Sequence, residues 1–433
     1  DELPEAALDA VRARLLVPAL SERMERDGAT GLFRDMEMPL LPVLAEMERV
    51  GLGVDTSVLA AQSAELDAEI EGMVEKIHAA AGEDFNIDSP QQLSHVLFDV
   101  LGLPTFGLKR TKRGFYSTNA KVLGDLANEH RIVAEVLDYR ERSKIKSTYL
   151  DALPALVAGI HTTLNQTVTA TGRLSSSDPN LQNIPTRSEL GHRVRQAFTV
   201  PEGSVFLACD YSQIELRLLA HLSGDEHLVA AFCEGADFHA ATAARVFGVP
   251  VEEVTPQLRS RAKAVNFGIV YGQQAFGLAS SLKIPRAEAQ EMIDRYFEAY
   301  PGVRAFLDEA VRIAHERGYA ETLYGRRRHI REFQQRNRQL IAFGERTAMN
   351  HPMQGTAADI IKIAMVRVER RLHEEGLASK LVLQIHDELD LEVPEAEVET
   401  VSALVRETME GVVELRVPLL AEVSYGSNWA EAK

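Results

Sequence analysis

Two acidic centres in this chain have the residue types and settings for cation-assisted phosphoryl chemistry. In the first, the apolar run Val205-Phe206-Leu207-Ala208-Cys209 stops at Asp210 and continues as Tyr211-Ser212-Gln213-Ile214-Glu215-Leu216-Arg217. The run reads as a buried strand, and Ile214, Leu216, Leu218 and Leu219 supply one face of a following amphipathic helix. Asp210 therefore sits at a strand end, where rigid backbone holds a carboxylate that can meet a divalent cation. The plainer reading is that Asp210 only starts the next element, as Asp often does.

The second centre is His386-Asp387-Glu388, between the alternating runs Leu381-Val382-Leu383-Gln384-Ile385 and Leu389-Asp390-Leu391-Glu392-Val393. Alternation on both sides of a polar centre predicts a β-hairpin with its charges at the bend. Successive strand side chains face opposite ways, so Asp387 is the metal candidate and Glu388 is supporting. Alone, the hairpin could be a solvated turn. With Asp210 it fits a centre that holds two cations about 4 Å apart and stabilises the attacking and leaving oxygens of a displacement.

A third pattern lies on one helix. Thr255-Pro256 is a cap followed by a first-turn proline, and Arg259, Lys263, Phe267 and Tyr271 then recur every four residues, lining one face. Two cations and two aromatic rings in a stripe suit a triphosphate beside a base and sugar. The alternative is an ordinary amphipathic helix with surface charges. Gly268 and Gly272 allow close approach to the backbone.

The elements that must carry these groups belong to a large globular chain. With 433 residues, 45% of them apolar, it can bury an extensive core and form two to four domains or subdomains. No apolar run approaches the ~20 residues of a membrane helix, and the start, Asp1-Glu2-Leu3-Pro4-Glu5, has no signal-peptide pattern. A start without Met suggests a fragment or processed chain. Cys209 and Cys233 form no disulfide framework, which fits a reducing, cytosolic setting; Cys209 reads as core packing. The net charge of −17 argues against indiscriminate polyanion binding. Local basic clusters survive at residues 109–113, at Lys144 with Lys146, at Arg187 with Arg193 and Arg195, and at Arg326-Arg327-Arg328-His329 with Arg331.

Along the chain, helical spacing from Glu5 stops at Asp27-Gly28, and two long helices are expected between Leu32 and Ala81, broken at Gly51-Leu52-Gly53. Ser89-Pro90 with Gln92 marks another helix start. Residues 121–150 read as helical. Thr-rich residues 161–173 then suit strands, with a boundary near Gly159. The polar residues 175–185 read as an extended loop. Residues 237–379 read as helical, and strands return after them.

At this point the motifs carry a resemblance. Residues from about Leu32 to the C-terminus resemble the family A DNA polymerases. Residues 210–217 resemble the family's motif A, the Arg259 to Tyr271 helix its motif B, and His386-Asp387-Glu388 its motif C. Thr171-Gly172-Arg173-Leu174-Ser175-Ser176 and Asn350-His351-Pro352-Met353-Gln354-Gly355-Thr356-Ala357-Ala358-Asp359 resemble two further signatures.

The resemblance implies an α+β right hand: a preceding exonuclease-like remnant over 1–31, a helical thumb over 32–158, an antiparallel-sheet palm over 159–236 and 346–433, and helical fingers over 237–345. It implies that Asp210, Asp387 and the Tyr211 carbonyl hold two Mg²⁺ ions, with Mn²⁺ as a substitute. Gln213 belongs to the implied nucleotide site. Arg259, Lys263 and His239 would hold the nucleotide phosphates, and Lys263 either clamps charge or also protonates pyrophosphate. Glu215 would exclude a 2′-hydroxyl, Tyr271 would pack beside the templating pair, and Phe267 in place of Tyr implies poor use of dideoxynucleotides. Arg173, Asn350, Gln354 and His386 would touch the minor-groove edge or primer end, although Asn350 and Gln354 could be plain buried amides. Lys144, Lys146, Asn183, Arg187 and residues 109–113 would meet backbone phosphates.

The implied partners are primer-template DNA and deoxynucleoside triphosphates, bound by a monomer with no membrane association in the bacterial cytosol. No carboxylate set for proofreading precedes the thumb, and the join at 156–161 is short for the family. A related single-subunit RNA polymerase or reverse transcriptase is one alternative, which Glu215 and Phe267 oppose for the former. A non-catalytic DNA-binding module is another, which the two intact aspartates oppose.

Overall fold

A computed structural model describes residues 5–127, 129–155, 159–186, 188–235 and 237–433. The short join at 156–158 and Arg187 lie outside the described residues. The chain forms two compact units. One takes residues up to Gly51 with His161–Gln182 and Gly203–Tyr425, and the other takes Leu52–Ile160, Asn183–Glu202 and Gly426–Lys433.

The first unit is built around a four-stranded sheet in the order Ala421–Gly426, Ser204–Tyr211, Glu388–Pro394, Lys380–Ile385. The second of these pairs antiparallel with the third, from Ser204 opposite Pro394 to Asp210 opposite Glu388. The hairpin also forms, with a bulge at Val382 where the register slips between Leu381 and Leu383. Phe206, Leu207, Ala208 and Cys209 are all buried, so both faces of the strand are covered and Asp210 is its first exposed residue after them. Burial of a side chain such as Leu207 is worth about 2 kcal/mol. Burial also pushes the Cys209 thiol up to about 12, which keeps it a packing group. Helices Met38–Val50, Arg338–Glu374 and Val398–Glu410 pack on the sheet. Among the described residues no helix is long and apolar enough to cross a membrane.

Two expectations need correction. Ser175–Ser177 is a strand and not loop, paired with Thr163–Asn165, because Thr162 Oγ1, Ser176 Oγ and the Pro179 carbonyl bond one another and satisfy the buried serine. Within the stretch read as helical, Tyr319–Glu321 and Arg327–His329 form a second hairpin, where Gly318 ends the preceding helix in a left-handed conformation.

A buried ion network ties this unit together. Arg326 Nε donates to Asp359 at 2.7 Å and its Nη2 to Glu37, while Lys362 Nζ donates to the same Glu37 oxygen at 2.8 Å. Thr322 Oγ1 donates to the other Asp359 oxygen at 2.7 Å, and Gln166 to the other Glu37 oxygen at 2.7 Å. Burial alone would raise the Glu37 pKa, but Lys362 and Arg326 outweigh it and hold the carboxyl below the usual range. Gly172 lies against Arg326 with φ +89°; a Cβ there would come within 2.5 Å of the guanidinium Nε. The network thus backs the Thr171-Gly172-Arg173 turn.

The second unit is mainly helical. Its core joins Ile77 and Leu93 with Leu97, Ile132, Val133 and Val136. Asp55 caps Thr56–Ala81 through the amides of Ser57 and Val58, and Ser89 caps Pro90–Ser94 through that of Gln92. Gly53–Val54 pairs with Phe198–Thr199, and Trp429 is wholly buried edge-on against Phe198. That packing brings 183–202 and the C-terminus into the same unit.

Removing Glu37 leaves Arg326 and Lys362 buried without their shared anion, so Glu37→Ala should cost about 3 kcal/mol or more in urea denaturation. Glu46→Ala, which removes only the exposed partner of Arg49, should cost about 0.5 kcal/mol. Equal, small losses in both variants would contradict the network's role.

Candidate functional site

The two acidic centres meet through strand register. Asp210 stands opposite Glu388 on the neighbouring strand, and the Tyr211 amide donates to the Asp387 carbonyl at 3.1 Å. Paired α-carbons in such a ladder are about 5 Å apart; Asp210 is that close to Glu388, and Asp387 adjoins Glu388 in the hairpin bend. His386 turns the hairpin in a left-handed conformation, φ 52°, and Gln384 Nε2 donates to its carbonyl at 2.7 Å. Asp387 keeps 27% of its side-chain surface exposed, whereas Glu388 is buried. The Tyr211 phenol points inward and donates to the Met409 carbonyl at 2.7 Å, which leaves only its backbone for a ligand.

Arg173 bridges the centre. Its Nη2 lies 2.8 Å from Glu215 and 3.5 Å from Asp387. Burial raises the Glu215 pKa, with Arg173 opposing and Asp387 adding to the rise. Burial likewise raises that of Asp387, against Arg173 and His386. Burial thus outweighs Arg173 at both carboxylates, and a divalent cation would oppose it. Among the described residues no group of three or more His, Cys, Asp or Glu side chains has metal-holding spacing. A pair of carboxylates nonetheless suits Mg²⁺, which is commonly held by one or two carboxylates together with waters and substrate phosphates.

The cation and aromatic stripe is formed by Pro256–Val270, capped by Thr255, whose side chain accepts from the Leu258 amide. Ala262, Val265, Asn266, Ile269 and Val270 are buried, while Arg259 and Lys263 are exposed and Phe267 half-buried. Phe267 and Tyr271 stack with centroids 6.4 Å apart, and His239 lies 5.8 Å from Phe267. Tyr271 follows the last helical turn. Its hydroxyl bonds Glu215, and burial first and Glu215 second push it up to about 12. This contact joins the stripe to the acidic centre. Asn350 Nδ2 donates to the Tyr271 carbonyl at 3.2 Å, with Gln354 one turn further along its helix and half-buried. Gln213, left-handed at φ 56°, precedes Ile214–Ser223.

Not every expected residue joins this cluster. Lys144, Lys146, Asn183 and residues 109–113 belong to the second unit. Lys144 and Asn183 are exposed there, but the Lys146 ammonium is held by Asp67 at 3.2 Å and Asp151 at 2.8 Å.

Sequence reasoning did not single out Asp237 and Asn266. Asp237 caps Phe238–Phe247 and holds Arg259 at 2.6 Å. Its position two residues before His239 was a capping signal. Asn266 lies 2.9 Å from His239 Nδ1; nothing in its spacing announced that.

The model of DNA polymerase family A matches residues 56–431. The thermostable DNA polymerase I of Thermus thermophilus is 49% identical over 99% of this chain and 52% of its own length. The DNA polymerase I of Pseudomonas aeruginosa is 48% identical over 99% of this chain and 47% of its own. The chain thus spans about half the length of these relatives. A solved structure, the POL domain of Pol1 from M. smegmatis in complex with DNA primer-template and dNTP, superposes with a TM-score of 0.90 at 44% identity, covering 96% of this chain and 74% of that one.

Two buried imidazoles, His239 and His351, are held down to about 4 from the ordinary 6.5, in both cases mainly by burial. Below pH 6.5 the unfolded chain binds protons that the folded chain refuses until about pH 4. Stability should fall across that window, by about 3 kcal/mol for wholly buried His351. His351→Gln should flatten the fall by that amount in denaturation measured from pH 7 to pH 4; an unchanged slope would contradict the neutral imidazole.

Proposed function

The chain belongs to DNA polymerase family A, and on that premise we propose that it extends a primer 3′-hydroxyl with deoxynucleotides directed by a DNA template. The observation that supports this reading best is the strand register that stands Asp210 opposite Glu388, one residue from Asp387 in the hairpin bend. The relative solved with primer-template and dNTP supports both substrates.

In this reading the Asp210 and Asp387 carboxylates and the Tyr211 carbonyl hold two Mg²⁺ ions, replaceable by Mn²⁺, with Glu388 supporting from the buried side. The chemistry supplied by the bound ions is activation of the primer hydroxyl and neutralisation of charge on the triphosphate and departing pyrophosphate. Arg259, Lys263 and neutral His239 grip the triphosphate, and Lys263 either clamps charge or also protonates the leaving pyrophosphate. Gln213 borders the nucleotide. Glu215, braced by Arg173 and Tyr271, occupies the space a 2′-hydroxyl would need. Phe267 and Tyr271 offer flat faces to the nucleotide and templating pair, with Phe267 disfavouring dideoxynucleotides. Arg173, Asn350, Gln354 and His386 read the minor-groove edge, whose acceptors are common to all pairs.

In this reading residues 32–158 are the thumb, 159–236 and 346–433 the palm and 237–345 the fingers, although residues 32–51 group with the sheet-bearing unit. Lys144, Lys146, Asn183, Arg187 and residues 109–113 meet backbone phosphates; for Lys146 this requires exchange of its carboxylate partners. The enzyme acts as a monomer in the bacterial cytosol.

Asp210→Asn and Asp387→Asn should each reduce Mg²⁺-dependent primer extension by about a thousandfold or more while leaving duplex affinity within about twofold. Turnover retained by either variant would refute the metal assignment. Supplying ribonucleotides in place of deoxynucleotides should stall the wild-type chain, and equal use of both would remove Glu215 from its role.

A further inference from the structure

His239 sits beside the cations of the stripe, yet it is a neutral ring, and what it offers a phosphate depends on which nitrogen carries its hydrogen. Asn266 occupies the buried side of Pro256–Val270, facing away from Arg259 and Lys263, and is 0% exposed. Its Nδ2 lies 2.9 Å from His239 Nδ1 and 3.3 Å from Thr242 Oγ1. The Thr242 hydroxyl is itself 3.3 Å from the Tyr300 hydroxyl. Both amide hydrogens thus have acceptors, and the threonine hydrogen is left for Tyr300.

A leucine here would leave His239 Nδ1 and the Thr242 hydroxyl without the amide's hydrogens. Asn266 Oδ1 has no hydrogen-bond partner among the described residues, and a buried unpaired carbonyl costs about 1–3 kcal/mol. The amide carries that cost at Oδ1 while its nitrogen serves the imidazole and the threonine.

We propose that Asn266 is the positioning residue for His239: its Nδ2 donates to Nδ1, fixes the ring as the Nε2–H tautomer and reserves that hydrogen for an oxygen of the incoming triphosphate. This rests on the phosphate role given to His239 above. The charged groups around the ring are Lys263 and Arg259, which oppose its protonation, and Asp237, which favours it. Asp237 is occupied elsewhere: its Oδ1 accepts the backbone amides of His239 and Ala240, and its Oδ2 accepts from Arg259 Nε. It leaves Asn266 as the partner of Nδ1. A neutral donor between two cations adds direction to a phosphate contact without adding further repulsion.

The test combines ¹⁵N-histidine NMR of the whole chain with single-nucleotide extension, with His239 assigned by the signal lost in His239→Gln. Wild type should give the Nε2–H tautomer at neutral pH, and Asn266→Leu a mixture of tautomers. Asn266→Leu should raise KM for the deoxynucleotide about tenfold, with kcat and duplex Kd changed by less than about twofold. In Asn266→Asp the new carboxylate accepts from Nδ1–H and favours the imidazolium, so KM should acquire a pH dependence between about pH 6 and 8 that wild type lacks. An Nδ1–H tautomer in wild type, a measurement that needs no variant to fold, would overturn the proposal. So would a tautomer unmoved by Asn266→Leu. The expected tautomers with KM unchanged in both His239→Gln and Asn266→Leu would leave the positioning intact but remove the triphosphate contact.

Discussion

Everything in the site depends on one antiparallel register. Asp210 stands opposite Glu388, one residue from Asp387 in the hairpin bend, because Ser204 to Asp210 pairs in step with Pro394 to Glu388. A one-residue slip would turn one strand's side chains to the opposite face. The register is fixed from both ends: Phe206, Leu207 and Cys209 against Leu389 and Leu391 bury the ladder, and the left-handed His386 closes the hairpin. The same core that stabilises the sheet therefore sets the carboxylates, without relying on contacts between them.

Charge is handled in opposite ways at two places in the sheet-bearing unit. Around Glu37 and Asp359 the acids are matched by Arg326 and Lys362, and the balance is internal. Around Asp387 and Glu215 the one Lys or Arg ion-paired to them among the described residues is Arg173, so cations are fewer than carboxylates, while burial raises the proton affinity here as it does at Asp359. A balanced network is a structural tie; an unbalanced cluster is poised to take up a cation or proton. Gly172 links the two, since its missing Cβ gives Arg326 room directly behind Arg173. The stripe joins the same cluster through Tyr271 and Glu215, so a movement of that helix would be felt at the acidic centre.

Much of this was legible because the signals are local. The strand ending at Asp210, the His386 hairpin, and the Ser89 and Thr255 caps each lie within a few residues and use rules of period and capping. What was not legible is non-local. Nothing near Glu37 announces Arg326, Asp359 or Lys362, which are remote in sequence and meet only in the fold. The Ser175–Ser177 strand was hidden by its serines, whose hydroxyl bonds depend on Thr162 and Pro179. For Lys146 the sequence shows the charge and not Asp67 and Asp151, the two carboxylates that hold it. The second unit gathers 183–202 and the C-terminus through short strand pairs and Trp429, contacts that no periodicity encodes.

The most direct test of the shared-cation centre is a count of bound Mn²⁺ by electron paramagnetic resonance. The chain would be held with a template, a dideoxy-terminated primer and the matching deoxynucleotide, so that chemistry cannot proceed. The account predicts about two ions per wild-type chain and the loss of at least one in Asp210→Asn and in Asp387→Asn. Full occupancy in both variants would mean that the two aspartates do not hold the cations, and would contradict the account at its root.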